Sequence, residues 1–153
     1  MKIAVIGAGA IGGLVAGYLA LEQQDVSLIS HADSAKAIKA KGLSISGVRG
    51  NFHIDIGISE LLGSTPDLAI LATKSQDISR AIKTNLRYLK GATILTTQNG
   101  VRADSIVAQY LSREKIISSI VMFGATYLEP GKIIHNFEGS WIIDKSVFPG
   151  AGC

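Results

Sequence analysis

Residues 2–6, KIAVI, run apolar after the first position with no polar interruption. Such a run suits a parallel strand buried on both faces, where inside and outside need not alternate. From Ala10 the period changes: Ile11, Leu14, Val15, Tyr18 and Leu19 follow the i, i+3, i+4, i+7, i+8 spacing of a helix with one buried face. Residues 25–30, DVSLIS, read as a second strand, and a short helix is expected over 35–40, capped by Asp33 or Ser34. These elements make a βαβ unit of about 30 residues. Four glycines, Gly42, Gly47, Gly50 and Gly57, then punctuate short alternating runs, which favours brief strands or a hairpin. After Pro66 the pattern predicts a strand over 67–72, a helix over 76–89, a strand over 92–97, a helix over 102–110 and a strand over 115–123. Strands alternating with helices imply right-handed crossovers and a mostly parallel sheet covered on both faces. Residues 132–136 and 140–144, separated by Phe137, Glu138 and Gly139, are expected to form an antiparallel hairpin on the sheet edge. The fold class is therefore α/β, doubly wound, with a C-terminal antiparallel hairpin.

Composition narrows the function classes. With 153 residues, 47% hydrophobic and 18% charged, the chain suits one domain with a real core, expected over 1–148. The break in composition at 149–153, PGAGC, is expected to be a truncation point before a further domain. The first strand leads straight into a glycine loop with no basic segment or cleavage site, so a cytoplasmic location is expected. No apolar run approaches the roughly 20 residues of a membrane span. Cys153 is the single cysteine, and His31, His53 and His135 are scattered, so neither a disulfide framework nor a metal site is expected. A net charge of +3 without a basic stripe, and aromatics at 6%, give no reason to expect a nucleic-acid partner.

The chemistry concentrates at strand ends. Gly7, Gly9 and Gly12 fit G-x-G-x-x-G between a strand and a helix, with Ala8, Ala10 and Ile11 completing the loop. The first glycine suits a tight turn, the second a close approach of backbone to pyrophosphate, and the third helix-to-strand contact. The pattern marks a Rossmann-type dinucleotide site, with the pyrophosphate at the helix N-terminus. Gly13 and Gly17, inside the helix, would be explained by close approach to the sheet or the cofactor. At the end of the second strand an acidic side chain would favour NAD, by bonding the ribose 2′-OH. Ser30 and His31 stand there instead, with Lys36 nearby, and favour NADP over NAD; Asp33 is assigned to capping. Lys74 follows the strand at 67–72 and Asn99 the strand at 92–97, where ligands lie in open α/β sheets. Lys74 could meet a cofactor or a substrate carboxylate, or be a solvated lysine in a first helical turn. Asn99 could bond the nicotinamide ribose or a substrate, or serve a turn or N-cap. Thr73 and Gln76 have the spacing of a capping box.

GAGAIGG at 7–13, LATKSQD at 71–77, TTQNGV at 96–101 and GATYLEPGKIIH at 124–135 resemble, in that order, the ketopantoate reductase (2-dehydropantoate 2-reductase) family. The resemblance implies NADPH-dependent reduction of ketopantoate to pantoate in coenzyme A biosynthesis, by a Rossmann domain followed by a helical domain. It implies that Gly7 to Gly12 hold pyrophosphate, Asn99 contacts cofactor and substrate, Lys74 lines the site and Ala125 approaches the nicotinamide. His31 departs from the arginine often found at that place in the family. The lysine that protonates the developing alkoxide, and a glutamate that holds substrate, belong to the family's helical domain, which could also support a homodimer. This chain alone is thus expected to bind cofactor and to turn over little keto acid. Two alternatives remain from the residues themselves: a non-catalytic nucleotide-sensing module, and a dehydrogenase for a different 2-keto or 3-hydroxy acid.

Overall fold

The computed structural model describes residues 1–99 and 101–144, and the expected boundary and tail at 148–153 lie outside them. The first βαβ unit comprises β1 (Lys2–Ile6), α1 (Ala10–Leu21) and β2 (Asp25–Ile29), followed by α2 (Ala32–Lys41). The glycine-punctuated stretch forms β3 (Leu43–Gly47), β4 (Phe52–Ile54) and β5 (Gly57–Ser59). Then come β6 (Leu68–Leu71), α3 (Ile78–Leu89), β7 (Thr93–Thr96), α4 (Val101–Val107) and β8 (Ile116–Val121). The chain closes with β9 (Gly124–Glu129), β10 (Lys132–Phe137) and β11 (Trp141–Ile143).

Among the described residues the strands form two sheets. The larger runs β11-β8-β7-β6-β1-β2-β5, parallel except for β11. Its strands alternate between two apolar layers, which is why their sequences need no polar face. Ile3 and Val5 of β1 pack with Val15 and Ala16 of α1 and Ala35 and Ile38 of α2. Ala4 and Ile6 pack on the other side with Ile78, Ile82 and Leu89 of α3 and Ala103 and Val107 of α4. The smaller sheet, β4-β3-β10-β9, lies against α1 through Leu14, Leu43, Ile45, Ile54 and Ile133.

Several expectations are corrected. Helix α1 has two buried faces, because it is sandwiched between the sheets. A Cβ on Gly13 would overlap Ile133 Cδ1, and one on Gly17 would overlap Ile45 Cδ1, so these glycines admit the smaller sheet. The C-terminal strands are antiparallel as expected, but 132–136 does not pair with 140–144. β10 pairs with β9 across the turn at Pro130 and Gly131, and β11 returns to β8 with Trp141 opposite Val121. Helix α2 is capped at His31 with no side-chain bond, so Asp33 and Ser34 sit inside its first turn rather than capping it. Helix α4 ends at Val107, short of the predicted 110.

Candidate cofactor site

The sheet order changes direction between β1 and β6, since the chain builds outward to β2 and β5 on one side and to β7 and β8 on the other. Beyond the carboxyl ends of the strands at such a switch point an open α/β sheet leaves a crevice. The glycine loop follows β1 into that crevice. Gly7 has φ +113°, a left-handed value that L side chains rarely adopt, and its N–H donates to Ile29 O at 2.8 Å. A Cβ on Gly7 would lie 2.8 Å from the carbonyl of Ala72, and one on Gly12 would overlap Gly7 O. These two glycines therefore pack the loop and α1 onto the end of β6.

Gly9 is different. Its backbone is extended, and a Cβ there would meet nothing within 4 Å. It caps α1 without a side-chain bond, and no acidic residue stands in the first turn. The first intrahelical bond runs from Gly13 N–H to Gly9 O at 2.9 Å, which leaves the amides of Ala10, Ile11 and Gly12 without helical acceptors. Free amides at the positive end of a helix dipole, beside open space, suit a pyrophosphate. Ala8, buried in the layer beneath α1, holds the loop down.

Two buried polar atoms in this region lack hydrogen-bond partners among the described residues: Thr73 Oγ1 and Gln98 Oε1. They stand just beyond β6 and β7 and are joined, Gln98 Nε2 donating to Thr73 O at 2.7 Å. Both atoms are shut off from solvent, so a bound molecule would satisfy them only after a side-chain shift. Sequence reasoning missed both as binding groups, although each immediately precedes a residue it did name. The proposed capping box is also corrected: Lys74 occupies the cap position of a short 3-10 turn, Ser75–Asp77, with no side-chain cap bond.

The named residues divide by environment. Lys74 is exposed at the crevice. Asn99 Oδ1 accepts from Val121 N–H at 3.1 Å and its Nδ2 donates to Val121 O at 3.3 Å, bridging the end of β7 to β8. Ala125 lies on β9 opposite His135, just past the end of β8. At the end of β2, Ser30 is buried and its N–H donates to Ser59 O at 3.0 Å, while His31 is exposed. Asp33, no longer a cap, is an exposed carboxylate in the first turn of α2. Volume does not mark this site: a depression of about 360 Å³ lies on the smaller sheet around Ser44, His53 and Lys132 and shares no residue with the crevice.

This arrangement has close counterparts among known proteins. A family model described as ketopantoate reductase PanE/ApbA matches residues 3–146. The 2-dehydropantoate 2-reductase of Pyrococcus abyssi is 36% identical over 144 residues, which cover 94% of this chain and 47% of that protein. The crystal structure of a PanE/ApbA family ketopantoate reductase from Ralstonia eutropha superposes with a TM-score of 0.85 at 28% identity, over 94% of this chain and 49% of that one. D-mandelate dehydrogenase in complex with NADH superposes with a TM-score of 0.77 at 26% identity, over 94% of this chain and 45% of that one. The chain spans about half the length of the curated relatives it matches.

Proposed function

The chain belongs to the ketopantoate reductase PanE/ApbA family, and on that premise we propose that it is the cofactor-binding half of an NADPH-dependent reductase converting 2-dehydropantoate to pantoate. The observation that carries this reading is the switch-point crevice, with open space at Gly9 and the first amides of α1 free of helical acceptors. The amides of Ala10, Ile11 and Gly12 would hold the pyrophosphate. Ser30 and His31 would stand at the adenosine ribose. A side-chain shift at Thr73 and Gln98 would let their oxygens bond ribose or nicotinamide groups. When bound, the dinucleotide supplies a hydride to the keto carbon. Lys74, cationic and exposed, would draw in the substrate carboxylate. Asn99, locked to β8, would keep the end of β7 at a fixed distance from Ala125. Protonation of the new alkoxide needs a general acid, which the family resemblance assigns to a lysine in a helical domain.

Asp33 supports a second reading. An exposed carboxylate in the turn after β2 suits a ribose 2′-OH, and the related D-mandelate dehydrogenase was solved with NADH. Calorimetric titration separates the two. The NADPH reading expects NADPH to bind at least about tenfold more tightly than NADH, a difference of about 1.4 kcal/mol, and His31→Arg to widen the gap. Equal or tighter NADH binding would sink it. With NADPH bound, turnover of 2-dehydropantoate is expected to be faint for residues 1–153 alone; robust turnover would place the acid within this chain. Phenylglyoxylate assayed beside 2-dehydropantoate, in a protein that also carries the helical domain, tests the choice of keto acid.

A further inference from the structure

An exposed carboxylate stands at the end of β2, supplied by the neighbouring strand. In the larger sheet β5 runs parallel to β2 with Ile29 opposite Ser59, and the pairing continues one residue further, Ser30 N–H donating to Ser59 O at 3.0 Å. The peptide that joins Ser59 to Glu60 is therefore hydrogen-bonded to Ser30. The peptide before Ser30 is tied to the glycine loop, since Gly7 N–H donates to Ile29 O at 2.8 Å. The ends of β1, β2 and β5 thus lie side by side, at about 4.8 Å per strand, and Glu60 is the first residue beyond β5. Its turn is held on both sides. Ser59 Oγ donates to Leu61 O at 2.8 Å, and the N–H of buried Leu62 donates to Asn85 Oδ1 on α3 at 2.9 Å. The Glu60 carboxylate itself is exposed and has no hydrogen-bond or ion-pair partner among the described residues.

We propose that Glu60 is a further determinant of cofactor choice, standing beside the adenosine ribose, where its carboxylate disfavours a 2′-phosphate and accepts a hydrogen bond from a free 2′-OH. The inference rests on the reading of the crevice as a dinucleotide site. With the pyrophosphate at the first amides of α1, the adenosine extends along the strand ends towards β2, and β5 is the next strand outward. Asp33 and Lys36, both exposed on α2, bring one charge of each sign to this end of the crevice. Glu60 tips that balance to negative. A phosphate monoester carries about −1.5 to −2 charges at pH 7, so a carboxylate beside it is repelled. A hydroxyl instead gains a charged acceptor, which makes a stronger bond than a neutral one. Glu60 therefore works against NADPH and narrows the preference proposed for it.

The measurement is the ratio of dissociation constants, NADH over NADPH, by calorimetry on the full chain at low ionic strength. Glu60→Gln is expected to raise this ratio about 3- to 10-fold, chiefly by tightening NADPH, and Glu60→Lys to raise it further. Glu60 is exposed, so neither substitution disturbs the core. Asp55→Asn removes the same charge at the opposite end of β5 and is expected to leave the ratio unchanged. Added salt is expected to shrink the difference between the native chain and Glu60→Gln, because exposed charges are screened. An unchanged ratio in Glu60→Gln, or an equal rise in Asp55→Asn, overturns the inference. A native chain that prefers NADH overturns the NADPH reading alone, and the change of ratio on substitution still decides the role of Glu60. A chain that binds neither dinucleotide overturns both.

Discussion

Gly9 and Gly12 stand three positions apart in one motif and do opposite work. A methyl group on Gly9 meets open space, whereas one on Gly12 collides with the carbonyl of Gly7. Gly9→Ala is therefore expected to leave the melting temperature nearly unchanged while weakening NADPH binding at least about tenfold, about 1.4 kcal/mol. Gly12→Ala should instead destabilise the fold, by about 1–3 kcal/mol, the usual range for overpacking. Thermal denaturation and a binding titration on both variants test the division; equal loss of stability in the two would refute it. The glycines were legible in the sequence because their chemistry is local to a strand, a turn and a helix. Thr73 and Gln98 were not. Thr73 looks like half of a capping box with Gln76, and only the fold reveals that its hydroxyl is buried and unpaired. Asn99 was legible by position, but its bonds to Val121 depend on β8 lying beside β7.

Helix α4 packs on the sheet through Ala103 and Val107 and is tied to it further by the carboxylate of Asp104. Asp104 accepts from Thr96 Oγ1 on β7 at 2.6 Å and from Ser118 Oγ on β8. Asp104→Ala would leave Thr96, 1% exposed, without that acceptor, and should cost about 1–3 kcal/mol. Asp104→Asn, which keeps a carbonyl acceptor, should cost less, and urea denaturation of the pair measures the difference. The strands that this helix joins were read correctly because a run of apolar residues buried on both faces carries its own signature. The smaller sheet left only the trace of short alternating runs. Its β3–β10 pairing joins Ser44 to Lys132 across more than half the chain, and nothing in either segment names the other. The run at 140–144 was a strand as expected, yet its partner depended on where β8 ended, not on the nearest strand in sequence.

In the whole molecule, α1 lies between the two sheets, and Gly13 and Gly17 set how closely they approach. A single methyl at Gly13 would meet only the end of the Ile133 side chain, which can turn aside. Gly13→Val is bulkier and should wedge the smaller sheet away. Amides of β3 and β10 are then expected to lose hydrogen-exchange protection while those of β1, β6 and β7 keep theirs; uniform loss would show the two sheets to be one cooperative unit. The chain leaves the larger sheet after Val121 and returns at Trp141, directly opposite. The excursion through β9 and β10 thus begins and ends at neighbouring points, so the larger sheet can assemble before the excursion has found β3. Long-range pairing must close a loop before its contacts form, so the smaller sheet is expected to form after the larger one and to open before it. The approach of Ile133 on β10 to Gly13 on α1 then exists only in the finished molecule. The smaller sheet would thus act as a latch over α1, and its release would be the earliest step of unfolding.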